Sequence, residues 1–308
     1  MRIGFIGLGT MGGPMALNIR KAGFEMTVHD LNRQAARALE AAGAVWAESA
    51  RAVADASDVV LTSLPGPPEV ETVAPELLAG FERGKVWFDL TTNSPVLVRR
   101  LHPAFAAIGA ALFDAPVSGG PRGAQSGKLA VLVGGDKAVF EAHRAPLDAM
   151  GDQVRHVGPL GAGAVTKLVH NASGYAMQCA IVEMFTAGVK AGVEPLALWE
   201  AIRQGVRGRQ RSFDSLADHF LPGDYDPPDF ALRLAHKDVA LAAELGRDMG
   251  VPMRLIDLTR AEMSEALARG WGERDSRAFL LLQQERAGVE IQVSKAAIDA
   301  VLKADDGG

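Results

Sequence analysis

The stretch that decides the fold is Ile3–Gly12, with the sequence IGFIGLGTMG. It sets a short apolar run directly before three glycines, Gly7, Gly9 and Gly12. A helix-forming segment comes next, and a second apolar run ends at Asp30. A strand, a glycine turn, a helix and a strand within about 30 residues are typical of a βαβ unit.

Further apolar runs alternate with helical stretches as far as residue 161. The runs that we predict as strands are 58–64, 85–89, 111–114, 129–133 and 153–157. Such alternation predicts an α/β fold with a mostly parallel, doubly wound sheet.

The pattern changes after the segment 161–163, which has the sequence Gly-Ala-Gly. From residue 164 to about 191, apolar residues recur at helical spacing without a proline, which predicts one long helix. The rest of the chain is also helical in pattern. We therefore predict a Rossmann-type domain over 1–161 and an all-α domain over 162–303, joined by the long interdomain helix, with a polar tail at 304–308.

The composition excludes several classes of protein. Of the 308 residues, 48% are apolar and 22% are charged, which argues against general disorder. The net charge of −5 shows no basic bias towards nucleic acid. The single cysteine, Cys179, excludes an internal disulfide. No histidine has metal-ligand spacing. With no bilayer-length apolar run and no secretory signal, we expect a soluble cytoplasmic protein that binds no metal, membrane or nucleic acid.

The glycine turn predicts a dinucleotide site. Gly7 permits the tight turn, Gly9 leaves room for a pyrophosphate, and Gly12 lets the helix and strand pack closely. The turn as a whole, with Leu8, Thr10 and Met11, is therefore a candidate cofactor contact. Asp30 lies 23 positions after Gly7, where a carboxylate binds the ribose hydroxyls and repels a 2′-phosphate. This favours NAD, although the nearby Arg33 leaves NADP open, because a guanidinium can hold a phosphate.

Three further segments follow predicted strands. Ligands of doubly wound folds bind beyond the carboxyl ends of the strands, so Leu64, Pro65 and Thr92 are candidate cofactor contacts. Ser118, Gly119 and Gly120 offer a hydroxyl and closely spaced N–H groups, which suit a substrate carboxylate. The same pattern is also typical of an ordinary glycine turn.

Lys167 is the candidate for proton transfer. It falls near the start of the predicted long helix, and Asn171 lies four residues on, on the same helix face. The positive end of the helix dipole disfavours a cation and is expected to lower the pKa of this lysine. An amine of this kind exchanges a proton with an alcohol or carbonyl oxygen near neutral pH. Spacing alone does not separate this role from that of a surface lysine.

Four segments together resemble the β-hydroxyacid dehydrogenases, a family that includes 3-hydroxyisobutyrate dehydrogenase and tartronate semialdehyde reductase. The segments are 5–18 (FIGLGTMGGPMALN), 114–120 (DAPVSGG), 163–171 (GAVTKLVHN) and 236–242 (HKDVALA). They occur in the family's order and span most of the chain.

The resemblance implies a role for each segment. Lys167 would be the catalytic acid/base, Asn171 would hold the substrate, and Ser118, Gly119 and Gly120 would surround its carboxylate. Lys237 would close over the cofactor, and Thr92 and Ser118 would lie near the nicotinamide. The helical domain would bind substrate and build a homodimer or homotetramer.

The expected function is therefore reversible hydride transfer between NAD(P) and the β-hydroxyl carbon of a small carboxylic acid, as in 3-hydroxyisobutyrate dehydrogenase. Tartronate semialdehyde reductase and a non-catalytic dinucleotide-binding module remain alternatives. Lys167 argues against the related imine reductases, which generally lack a lysine at the catalytic position, and 6-phosphogluconate dehydrogenase shares motifs but is longer. The sequence does not decide which β-hydroxyacid binds. It also leaves open whether Arg122, or the group Arg207, Arg209 and Arg211, contacts the substrate.

Overall fold

The computed structural model describes residues 1–205 and 214–306, and within them all side chains except those of residues 183, 184, 187 and 304–306. The chain divides into two compact units, Met1–His170 and Asn171–Gly308. The boundary along the chain falls inside a long helix. The predicted domain limits at 161 and 303 stay predictions.

The first unit is an α/β domain. Its strands are β1 (Arg2–Ile6), β2 (Glu25–His29), β3 (Val45–Trp46), β4 (Val59–Thr62), β5 (Val86–Asp89), β6 (Ala111–Asp114), β7 (Val117–Ser118), β8 (Leu129–Gly134) and β9 (Gly151–Gly158). Its helices are α1 (Gly12–Lys21), α2 (Arg37–Ala41), α3 (Ala50–Ala56), α4 (Pro67–Gly80), α5 (Pro95–Ala107), α6 (Gly120–Ser126), α7 (Lys137–His143) and α8 (Ala145–Asp148). The predicted Rossmann-type fold is confirmed.

The sheet has the order β3-β2-β1-β4-β5-β6-β8-β7, with β9 paired to β8. The six strands from β3 to β6 are parallel, which brings the carboxyl ends of β1, β2, β4, β5 and β6 to one edge. Strand β8 runs antiparallel to β6 and β7, so the sheet is mixed at this side. The segment between β6 and β8 contains only β7 and the short α6 and does not carry the chain back across the sheet, so β8 starts from the carboxyl end of β6.

Alternation along the central strands covers both faces of the sheet with apolar side chains. Phe5 and Phe88 belong to a core cluster that also contains Met15 and Ile19 of α1. Their neighbours in the same strands, Ile6 and Trp87, belong to a cluster on the other face of the sheet, with side chains of α3, α4 and α5. Both faces are thus buried, as a doubly wound sheet requires.

Helix α9 (Ala162–Lys190) confirms the predicted long helix and begins two residues earlier than expected. The second unit continues with α10 (Pro195–Gln204), α11 (Leu232–Asp248), α12 (Arg254–Ala268), α13 (Leu281–Ala287) and α14 (Lys295–Asp306). Its core gathers Trp199, Phe185, Phe220 and Phe279, each 1% exposed or less. Helix α14 extends through 304–306, the first part of the predicted tail.

Among the described helices, none combines the length and the apolar character needed to span a lipid bilayer.

Candidate active site

The glycine turn after β1 has the shape that a dinucleotide needs. Gly7 has a φ of +90°, and a Cβ there would lie 2.2 Å from the carbonyl oxygen of Ser63. At Gly12 a Cβ would lie 1.8 Å from the carbonyl oxygen of Gly7. By contrast, a Cβ at Gly9 would meet no heavy atom within 4 Å. The turn is therefore closed against the sheet at two glycines and open at the third, where the backbone can approach a pyrophosphate.

Within the turn, the three non-glycine residues differ in exposure. Leu8 is buried, Met11 is half-buried and Thr10 is exposed. Helix α1 begins at Gly12, so the positive end of its dipole lies next to the turn. These residues fit a nicotinamide dinucleotide, held through its phosphates.

Asp30 follows β2 and is tied directly to the glycine turn. Its Oδ2 accepts the backbone N–H of Leu8 at 2.6 Å, and its Oδ1 accepts the N–H of Asn32 at 2.7 Å. Arg33, which left the cofactor question open, donates to both carboxylate oxygens of Glu40 at 2.6 and 2.7 Å. Its guanidinium also lies 4.4 Å from the centre of the Trp46 ring. The Arg33 guanidinium is therefore already bound by Glu40 and Trp46 of the same unit.

The loops after β4 and β5 are joined. The N–H of Leu64 donates to Thr91 Oγ1 at 3.1 Å. Pro65 is exposed, and Thr92 is half-buried beside Thr91. The structure thus brings the glycine turn together with Asp30 and, through Ser63, with the loop after β4, which in turn binds the loop after β5.

A buried acid that the sequence analysis did not single out organises these two loops. Asp89, 1% exposed at the end of β5, accepts the Thr62 hydroxyl at 2.9 Å and the Asn93 amide at 2.8 Å. The Trp87 indole donates to the same Thr62 hydroxyl at 2.9 Å. Burial raises the pKa of Asp89 above its usual value, and the hydrogen bonds it accepts oppose that change.

The turn after β7 contains the predicted carboxylate contacts. Ser118 is half-buried and ends β7, while Gly119 and Gly120 are exposed. Gly119 has a φ of +136° and Gly120 a φ of +60°, and a Cβ on Gly120 would meet no heavy atom within 4 Å. The backbone is therefore accessible here. Arg122 is exposed, and Arg207, Arg209 and Arg211 lie outside the described residues.

Lys167 lies in the second turn of α9 and is 8% exposed. The start of this helix is fixed by Asp114 at the end of β6. One carboxylate oxygen of Asp114 accepts the N–H of Gly161 at 2.7 Å, and the other accepts the N–H of Ala164 at 2.6 Å. Burial raises the pKa of Asp114 to about 6, and the two N–H donors offset it only in part. Asp114 opens the segment 114–120, but nothing in the local sequence indicates this contact with residues 47 and 50 positions later.

In the second unit, Asn171 is joined to the motif that contains Lys237. The Asn171 amide donates to Asp238 Oδ2 at 2.7 Å. Lys237 Nζ lies 3.0 Å from the other oxygen, Oδ1, of the same buried carboxylate. Asp238 therefore sets the orientation of the Asn171 amide and leaves its carbonyl oxygen pointing away from this contact. A signal for Asp238 was present in the sequence, as the acid next to Lys237.

No group of three or more His, Cys, Asp or Glu side chains in the described ranges has the geometry of a metal site. That the protein binds no metal stays a prediction.

Comparisons with known proteins identify the family. The NAD-binding domain of 6-phosphogluconate dehydrogenase matches residues 2–158. The NAD-binding domain of NADP-dependent 3-hydroxyisobutyrate dehydrogenase matches residues 161–283.

Similar individual proteins cover nearly the whole chain. The 2-(hydroxymethyl)glutarate dehydrogenase of Eubacterium barkeri is 34% identical over 94% of this chain and 97% of that protein. The NAD-dependent L-serine dehydrogenase of Pseudomonas aeruginosa is 35% identical over 89% of this chain and 95% of that protein. A structure of Mycobacterium tuberculosis 3-hydroxyisobutyrate dehydrogenase with L-serine has a TM-score of 0.80 at 29% identity, and covers 92% of this chain and 99% of that one.

The fold, the glycine turn and these matches define an oxidoreductase that uses a nicotinamide dinucleotide. More narrowly, the chain belongs to the β-hydroxyacid dehydrogenase family and is an NAD(P)-dependent β-hydroxyacid dehydrogenase.

Proposed function

We propose that this enzyme oxidises, reversibly and with NAD, a primary alcohol carried on the carbon next to a carboxylate. In formula the substrate is HOCH₂–CHR–COO⁻. The observation that carries the proposal is Lys167, a buried lysine in the second turn of a helix whose start is fixed to the sheet. Asn171 lies one turn further along the same helix.

The substrate class is supported by the similar proteins. 2-(Hydroxymethyl)glutarate, L-serine and 3-hydroxyisobutyrate, which occur in their names, all contain the unit HOCH₂–CHR–COO⁻. They differ only in R, which is a carboxyethyl, an ammonium or a methyl group. Reduction of tartronate semialdehyde gives the same unit with R as a hydroxyl, so that activity falls within the proposal.

The residues have distinct tasks in the proposed reaction. When bound, the nicotinamide supplies the acceptor for hydride from the alcohol carbon, and its reduced form supplies the donor. In oxidation, Lys167 Nζ takes the proton of the substrate hydroxyl, and in reduction it returns a proton to the developing alkoxide. The accessible N–H groups of Gly119 and Gly120, with the Ser118 hydroxyl, bind the carboxylate. Asn171 orients the reacting oxygen, and Lys237 contacts the cofactor.

The preference for NAD rests on charge near Asp30. Its carboxylate stands beside the glycine turn, where a 2′-phosphate would add like charge. The guanidinium of Arg33, which would compensate that charge, is paired with Glu40. The glycine turn together with Leu64, Pro65 and Thr92 forms the remainder of the proposed cofactor contacts.

The location and assembly of the protein complete the proposal. We place the enzyme in the cytoplasm, as a homodimer or homotetramer built through the helical unit. Exposed apolar side chains on α9 and α12 support such an interface, with Met177 58%, Leu255 71% and Leu258 58% exposed. Light scattering coupled to size-exclusion chromatography tests the assembly.

The decisive experiment compares Lys167→Ala with Lys137→Ala, which removes an exposed lysine from the first turn of another helix, α7. A panel of HOCH₂–CHR–COO⁻ acids is assayed with NAD and with NADP by the absorbance of the reduced nicotinamide. We expect Lys167→Ala to lower kcat by about 10²–10⁴-fold while NADH binding persists. Normal turnover in Lys167→Ala, or no turnover of any acid by the wild-type enzyme, would overturn the proposal.

A further inference from the structure

The first turn of α9 is held by a single side chain from the sheet. Asp114 is 1% exposed, and its two carboxylate oxygens accept one N–H each, from residues 47 and 50 positions later in the chain. These N–H groups belong to Gly161 and Ala164, at the helix start, where backbone donors have no partner within the helix. Asp114 thus supplies the cap of α9 from another element.

Two glycines allow the start of α9 to pack closely against the sheet. A Cβ at Gly163 would lie 2.2 Å from the carbonyl oxygen of Leu132 and 2.6 Å from that of Asp114. A Cβ at Gly134 would lie 2.5 Å from Asp114 Oδ1 and 2.9 Å from the N of Gly163. The helix start therefore packs closely against the ends of β6 and β8, where neither glycine leaves room for a methyl group. A small change at this contact must displace the helix itself.

We infer that Asp114 is a positioning residue for proton transfer: by holding the first turn of α9 against the sheet, it sets where the Lys167 amine stands. This inference rests on the proposed role of Lys167. Lys167 lies three residues after Ala164 on a continuous helix, so a displacement of the first turn moves the amine. An error of about 1 Å in a reacting group costs up to about 100-fold in rate.

The two donors require a carboxylate. An ionised carboxyl offers two acceptor oxygens, whereas an asparagine offers one acceptor and one N–H₂ group that would face a second N–H. Protonation of Asp114 removes an acceptor in the same way. Asp89 on β5 raises the pKa of Asp114 further, Arg99 on α5 lies against Gly161, to which Asp114 is bonded, and α9 itself carries Lys167. Burial raises the pKa of Asp114 to about 6, so the two-oxygen cap is lost as the pH falls through that value.

The test uses Asp114→Asn, with Asp136→Asn as its matched control. Asp136 caps α7 through one N–H, that of Val139 at 2.9 Å, and an asparagine caps a helix equally well. We expect Asp114→Asn to lower kcat for aldehyde reduction by about 10–100-fold, with the dissociation constant of NADH little changed. Asp136→Asn is expected to keep the wild-type kcat.

A double-variant cycle separates positioning from a general structural effect. If Asp114 acts through Lys167, Asp114→Asn lowers the residual rate of Lys167→Ala by less than about 3-fold. The same 10–100-fold loss in both backgrounds, or a normal kcat in Asp114→Asn while Lys167→Ala is inactive, overturns the inference alone. Normal turnover of Lys167→Ala instead refutes the proposed function.

A pH profile and a second variant guard against a misfolded Asp114→Asn protein. In the reductive direction Lys167 donates a proton, and acid favours the protonated form that does so. A fall in kcat as the pH drops through about 6 therefore reports the protonation of Asp114. This fall is expected in the wild type and absent from Asp114→Asn; a wild-type profile that stays flat to pH 5 contradicts the inference. Gly163→Ala keeps the Asp114 carboxylate but forces the helix start to move. We expect this variant to lower kcat by about the same factor as Asp114→Asn, and an unchanged kcat would contradict the inference.

Discussion

Asp89 and Asp114 are paired across the parallel strands β5 and β6, and both carboxylates are buried. Each follows a phenylalanine, and the Phe88 and Phe113 rings stack with their centroids 4.7 Å apart. The two acids hold different parts of the site. Asp89 holds the loops that lead to the proposed cofactor contacts, and Asp114 holds the helix that carries Lys167.

The first prediction concerns Asp89. Asp89→Ala leaves the Thr62 hydroxyl and the Asn93 amide without a shared buried acceptor. Each unpaired buried donor costs about 1–3 kcal/mol, so we expect the free energy of unfolding to fall by about 3 kcal/mol. The loosened loops should also weaken NADH binding. Urea denaturation and NADH fluorescence titration measure the two effects.

Asp55→Ala is the control for that variant. Asp55 forms a surface pair with Arg51 at 3.8 Å, and its side chain is 58% exposed. Such pairs contribute less than about 1 kcal/mol. Equal unfolding free energies for Asp89→Ala and Asp55→Ala would show that the buried network does not stabilise the loops.

The second prediction separates two glycines of the cofactor turn. Gly9→Ala adds a methyl group where the protein has no atom within 4 Å, so the fold should keep its stability within about 1 kcal/mol. The same methyl group lies where we propose that the pyrophosphate approaches, and we expect NADH affinity to fall at least about 10-fold. Gly12→Ala forces a methyl group against the Gly7 carbonyl and should destabilise the protein by about 1–3 kcal/mol or more. Calorimetry measures the stability of both variants, and NADH titration measures their affinity. A destabilised Gly9→Ala variant with normal NADH affinity would contradict the assignment of Gly9 to the pyrophosphate site.

Local patterns in the sequence predict much of this architecture. The glycine spacing predicts β1, the turn, α1 and β2, because each of these elements depends on neighbouring residues. The long helix was expected over 164–191 and runs from Ala162 to Lys190, because its apolar spacing and lack of proline are local signals.

Other features depend on contacts that spacing does not encode. The antiparallel pairing of β8 with β6 depends on where the chain re-enters the sheet. The partners of Asp114 lie 47 and 50 residues away, and only the register of β5 and β6 brings it beside Asp89. A charged residue closing each of two apolar strands was the one signal in the sequence for this buried pair of acids.

The third prediction concerns the choice between NAD and NADP. Glu40→Gln removes the negative charge that holds Arg33 and frees the guanidinium for a 2′-phosphate. The pair is partly exposed, and such pairs are worth at most about 1 kcal/mol. The ratio of kcat/KM for NADP to that for NAD should therefore rise by up to about 5-fold. Glu25→Gln, at the start of β2 and far along the strand from Asp30, is the control and should leave the ratio unchanged. A ratio that favours NADP strongly in the wild type would contradict the NAD preference itself.

The last prediction follows from the raised pKa of Asp114, which is about 6 in the folded protein against an ordinary value of 3.8. An acid whose pKa is raised by folding binds its proton more tightly in the folded state, so its contribution to stability grows as the pH falls from about 6 towards 3.8. The shift corresponds to about 3 kcal/mol. We expect the stability of the wild type relative to Asp114→Asn, which does not titrate, to increase by most of that amount, about 2 kcal/mol, between pH 7 and pH 4 in urea denaturation. The same pH change removes the two-oxygen cap of α9 and lowers kcat, so stability and activity should move in opposite directions. This is the pattern expected where a buried charge is kept for its geometry and not for its contribution to folding. A difference in stability that does not change with pH would show that the Asp114 carboxyl titrates alike in the folded and unfolded chains.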